Sequence, residues 1–77
     1  MRTPDTKEEL EYFKYLYNFE DTISFFKDRL VVLKDVKKDV YHWLKEVNRI
    51  LENKNHSHHK YLVLLKDQME QFLNKYK

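Results

Sequence analysis

Residues 12–51 read YFKYLYNFEDTISFFKDRLVVLKDVKKDVYHWLKEVNRIL, without a glycine or a proline. Leu16, Ile23, Leu30, Lys37, Leu44 and Leu51 fall at one heptad position of this run. Tyr12, Phe19, Phe26, Leu33, Val40 and Val47 fall at the other, and Lys37 alone breaks the apolar pattern. Seven-residue spacing is that of a helical seam and favours left-handed wrapping of helices around one another. As one helix the run would make a rod of roughly 60 Å. Folded back, it would pack its aromatic first half on its aliphatic second half. Lys37 disfavours a tight parallel dimer, because two like charges would meet at one layer.

Two polar stretches could restart a helix: residues 18–22, and residues 34–39 with Asp35 as N-cap. The reading favours a turn near Lys34 to Lys37. Upstream, Pro4 and a capping box formed by Thr6 and Glu9 predict a helix start near residue 5. Residues 53–59, NKNHSHH, contain no apolar residue and read as a connection. Beyond it Tyr61, Leu62, Leu65, Met69, Phe72, Leu73 and Tyr76 recur at helical spacing, with Lys66, Asp67, Glu70 and Lys75 on other faces. The fold class expected is all-α, a small bundle of about three helices near residues 5–34, 36–53 and 58–76, assembled as an oligomer. The short second loop makes the last two helices antiparallel neighbours.

At 77 residues the chain forms a single domain of a size whose core supplies only a few kcal/mol, so a partner or a second copy would add to its stability. It has no cysteine, which excludes disulfides, thiol catalysis and thiolate zinc sites. No stretch approaches the roughly 20 apolar residues of a membrane span, and nothing resembles a signal peptide, so a cytoplasmic location is expected. Neither Gly nor Ala occurs, while Lys, Asn, Tyr and Phe are abundant. These last four have AT-rich codons and point to a low-GC bacterium, or to a phage or mobile element resident in one.

The most functional-looking stretch is aromatic. Tyr12, Phe13, Tyr15, Tyr17 and Phe19, with Leu16 among them, cover more than half of a helix circumference at about 100° per residue. A core needs a stripe of little more than 100°. Phe13, Tyr15 and Tyr17 are therefore candidates for a second buried surface, a dimer contact or a partner site, since Tyr combines a large apolar face with a hydroxyl that tolerates a wet rim. Trp43 widens the aliphatic stripe of Val36, Val40, Leu44, Val47, Ile50 and Leu51, and is a candidate interface anchor.

Charge is uneven. Residues 1–35 hold six Lys and Arg against eight Asp and Glu, or −2; residues 36–77 hold nine against five, or +4, which together give the formal +2. Lys37, Lys38, Lys45 and Arg49 are the candidate nucleic-acid contacts of the basic half, though interleaved Asp39, Glu46 and Glu52 weaken the patch. Imidazole is a common metal ligand, but the spacing of His42, His56, His58 and His59 matches no closed structural site, and no metal or other cofactor is expected. The same cluster would make the turn sensitive to pH near 6.

Arg49 and His56, with six residues between them, resemble the Arg-x4-6-His spacing of the HEPN-type ribonucleases, which implies these two as a catalytic pair. The resemblance covers eight residues, and domains of that family are longer than this chain. No activated Ser, Gly-rich phosphate loop or HExxH-type pair supports another chemistry, so no catalytic residue is assigned. The expected function is a non-catalytic protein-interaction module, homodimeric, acting as an adaptor or inhibitor of a larger protein, without a membrane contact or small-molecule substrate. The alternatives are a nucleic-acid binder using the basic half and a structural coiled-coil assembly subunit.

Overall fold

The computed structural model describes residues 7–77. They form three helices, α1 (Lys7–Lys27), α2 (Leu33–Leu51) and α3 (His59–Lys75), with no strand among the described residues. Pro4, Thr6 and the helix start expected near residue 5 lie outside the described residues. The apolar stripes and the absence of helix breakers account for the helices. Their ends are matched to the helix dipole by Glu8 and Glu9 in the first turn of α1, by Asp35 in that of α2, and by Lys27, Arg49 and Lys75 in the three last turns.

The chain turns between α1 and α2, so the seam does not form a continuous rod. The turn lies at residues 28–32, not near Lys34 to Lys37, and α1 runs unbroken through residues 18–22. Its cause is a cap that needs no glycine. Arg29 takes a left-handed conformation with φ 62°. The Arg29 N–H donates to the Phe26 carbonyl at 3.0 Å, and the Leu30 N–H donates to the Phe25 carbonyl at 2.9 Å. These are the two bonds of a Schellman motif, which closes a helix by satisfying its last carbonyls. Chain direction is thus reversed by backbone geometry that left no Gly or Pro to read. Val32, with extended φ −89° and ψ 151°, precedes α2 without a side-chain cap, and Asp35 sits inside the first turn instead of capping it.

A side chain with a Cβ is strained in the left-handed region, whereas glycine is not. Arg29→Gly is therefore expected to stabilise the fold by about 0.5–1 kcal/mol, after the extra freedom of the unfolded glycine chain is subtracted. Denaturant unfolding would show a higher midpoint at unchanged slope. A lower midpoint would mean that the Arg29 side chain contributes more than its backbone costs.

All three helices share one core. Tyr15 and Phe19 of α1, Val36, Val40 and Val47 of α2, and Leu62, Leu65, Met69 and Leu73 of α3 are buried, with Leu16, Ile23, Phe26, Trp43, Leu44, Ile50 and Leu51 packed half-buried against them. α3 packs most extensively on α2, and α1 covers the pair. Phe72 links the layers through edge-on contacts to Phe19 and Phe26 at 6.4 and 6.0 Å. The body measures 41 × 25 × 15 Å. No helix among the described residues is long and apolar enough to cross a membrane.

Candidate interaction surface

The α2–α3 connection is exposed along residues 52–55 but docks on α1 through His56, Ser57 and His58. Three acidic residues on the first turns of α1 receive it. The Ser57 N–H donates to Glu8 Oε1 at 3.1 Å. His56 is buried, its Nε2 lies 3.2 Å from Glu11 Oε1, and His58 Nε2 lies 3.8 Å from Glu9 Oε2. The His58 N–H donates to His56 Nδ1 at 3.0 Å, which places the ring proton of His56 on Nε2, facing Glu11. Hydrogen bonds from Ser57 hold the Glu8 carboxyl below its usual range, followed by weaker attraction from His56 and His58. Within the turn Asn53 Oδ1 accepts the Asn55 N–H at 3.1 Å, a local bond characteristic of Asx turns.

This docking bears on two readings of the histidines. Both ring nitrogens of His56 are engaged inside the protein, so it has no free nitrogen to act as a base in an Arg49–His56 pair. Among the described residues no group of three or more His, Asp or Glu side chains converges to hold a metal ion.

Docking the turn also brings His58 onto the aromatic face of α1. Its ring stacks on Tyr12 at 5.2 Å and touches Tyr61 at 5.8 Å and Phe13 at 6.4 Å. Tyr12 contacts both Phe13 at 5.3 Å and Tyr61 at 5.9 Å, and Phe13 stacks on Tyr17 at 5.5 Å. Tyr17, Phe13, Tyr12 and Tyr61 therefore form one connected series of rings across α1 and α3. Tyr17 and Tyr61 are 55% and 51% exposed, while Tyr12 and Phe13 are half-buried. Leu10, one turn before Phe13, and Leu64, one turn after Tyr61, extend the face and are 55% and 54% exposed.

The other aromatic candidates lie elsewhere. Tyr15 and Phe19 are core residues, and Trp43 packs half-buried against the core. The Tyr15 hydroxyl donates to Glu46 Oε2 at 3.1 Å, and His42 Nε2 lies 3.5 Å from the same oxygen. Burial, then the Glu46 bond, pushes the Tyr15 phenol up to about 12. The stabilisation from its protonated form is thus complete below about pH 10 and is lost as pH rises towards 12. Heptad spacing could not separate Tyr15 from Tyr17, because α1 docks along Tyr15, Phe19 and Phe26, on one flank of the aromatic belt. Tyr61 and His58 were missed as site residues because one reads as the start of a core stripe and the other as part of a polar turn.

Of the basic candidates, Lys38, Lys45 and Arg49 share the outer side of α2 with Lys34 and His42, and all five are exposed. Lys37 is half-buried, about a quarter turn away. Asp35, Asp39 and Glu46 border the stripe. One groove on this surface is lined by His42, Lys45, Glu46, Asn48, Arg49 and Glu52. No known protein family, curated protein or solved structure matches the chain.

Proposed function

We propose that this protein is a non-catalytic interaction module that recognises a protein partner through the aromatic face of α1 and α3, and so acts as an adaptor or an inhibitor of a larger protein. The observation that carries this reading is the connected ring series Tyr17, Phe13, Tyr12 and Tyr61, flanked by exposed Leu10 and Leu64. Rigid aromatic side chains of this kind concentrate binding energy at interfaces, because they bury large areas while losing few rotatable bonds. The docked turn supports the same reading: it fixes His58 under Tyr12, so the face is preorganised and loses little freedom on binding. The basic stripe of α2 supports nucleic-acid binding less well, since its acidic border would meet the same phosphates.

The test compares affinity capture from the producing cells by wild-type protein and by the Phe13→Ser, Tyr61→Ser double variant. Capture of a defined protein by the wild type, lost in the variant while its helical circular dichroism is unchanged, is the expected result. Identical capture by both proteins, or none by either, overturns the reading.

A further inference from the structure

The outer side of α1 carries a second pattern that the core does not use. Lys7, Lys14, Asp21 and Asp28 recur every seven residues and so form one slowly turning row along the helix and onto its C-terminal cap. All four are exposed. Lys7, Asp21 and Asp28 make no ion pair among the described residues, and Lys14 reaches only over the Tyr15 ring at 5.4 Å. Leu10 and Tyr17, each 55% exposed, flank this row on one side, and Phe25, 47% exposed, flanks it on the other. The row is basic in its first half and acidic in its second. Its sign reverses about the level between Tyr17 and Asn18.

We infer that the occupant of this face is a second copy of the chain, with the two α1 helices side by side and antiparallel about a two-fold axis near Tyr17. This rests on the interaction-module reading and specifies one partner for it. In that register Lys7 comes level with Asp28 of the second copy and Lys14 with its Asp21. Two-fold symmetry repeats both pairs, giving four ion pairs between the copies. Tyr17 meets its own copy near the axis, with Leu10 of each copy on the same side of the charged rows. Flanking positions on one side of an antiparallel helix pair face those on the same side of the partner, so the charged rows meet each other. A parallel pairing would set lysine on lysine and aspartate on aspartate. The antiparallel arrangement also places the helix dipoles in opposition. Exposed ion pairs of this kind add modest affinity but choose orientation and register, while the apolar residues supply most of the contact.

Solution mass by light scattering across a wide concentration range tests the inference. The wild type is expected to rise from its 9.7 kDa monomer mass to twice that value. Lys7→Glu with Lys14→Glu, and separately Asp21→Lys with Asp28→Lys, turn all four pairs repulsive and should weaken the dimer by about tenfold or more. The fourfold exchange Lys7→Asp, Lys14→Asp, Asp21→Lys and Asp28→Lys restores the complementary pattern and should restore the dimer. Mixed with wild type, the exchanged chain should form no heterodimer, because like charges then face each other in the antiparallel register. A wild type that stays monomeric, a dimer indifferent to the reversals, or ready heterodimer formation with the exchanged chain each overturns the inference. A monomeric wild type that still captures a partner through Phe13 and Tyr61 leaves the interaction-module reading standing, so the two failures are distinguishable.

Discussion

Leu62→Ala is expected to lower stability by about 3 kcal/mol, a large effect for a fold of this size. Leu62 is 0% exposed and belongs, with Val36, Val40, Val47 and Met69, to the fully enclosed centre. Removing it forfeits the transfer free energy of the lost carbons and leaves a cavity that three mutually braced helices cannot close. The consequence is set by the small total. At roughly 0.05–0.15 kcal/mol per residue, a chain of this length holds about 4–12 kcal/mol, so one cavity removes a quarter or more of it. The thermal midpoint followed by circular dichroism should fall by about 12–24 °C. Leu64→Ala is the control: the same chemistry two residues along α3, at a side chain 54% exposed, should change stability by about 0.5 kcal/mol or less. Equal losses at the two positions would mean that α3 faces the core along a different stripe.

That contrast shows how much of the fold the sequence carries. Leu62, Leu65, Met69 and Leu73 are spaced three and four apart, and the structure buries all four. Helix number, helix type and the inward stripes of α2 and α3 follow from periodicity of this kind. The turn between α1 and α2 did not follow, because its signal is a backbone conformation at Arg29, a residue with no preference for it. The heptad rows even continue in phase through residues 28–32, so a chain that reverses direction keeps the pattern of one that does not.

The candidate site was legible in composition but not in orientation. Five aromatics between Tyr12 and Phe19 are too many for one inward stripe, which predicts an outward set without saying which members belong to it. The choice depends on how α1 is rotated against α2 and α3, a tertiary property. Tyr15 takes an inward role through its hydroxyl bond to Glu46, across 31 residues of sequence. Tyr61 joins the face only because the turn before it docks on Glu8, Glu9 and Glu11, contacts spanning more than forty residues that no local pattern encodes.

His56→Ala is expected to cost about 2 kcal/mol, an effect out of proportion to a polar residue in a connecting turn. A solvated turn histidine could be truncated at a cost of about 0.5 kcal/mol or less. His56 instead lies 6% exposed, with Nε2 donating to the Glu11 carboxylate and Nδ1 accepting the His58 N–H. Hydrogen bonds to charged groups contribute more than neutral ones, and the truncation also strands the backbone N–H of His58 without its acceptor. Lys54→Ala, at an exposed position of the same turn, serves as the control. A double-mutant cycle with Glu11→Ala should return a coupling of about 1 kcal/mol or more, because the two side chains share one bond. Amide exchange supplies a local readout: the His58 N–H should exchange faster in His56→Ala than global destabilisation alone requires. Unchanged stability together with unchanged exchange would mean that the turn is held by Glu8 and Ser57 without His56. The aromatic face depends on the same bond, since His58 packs under Tyr12 only while its backbone is held against α1. Loss of the clasp should therefore loosen Tyr12 and Tyr61 and weaken partner capture in a chain that remains helical, which makes a buried histidine in a loop a positioning residue for the rings that His58 packs against.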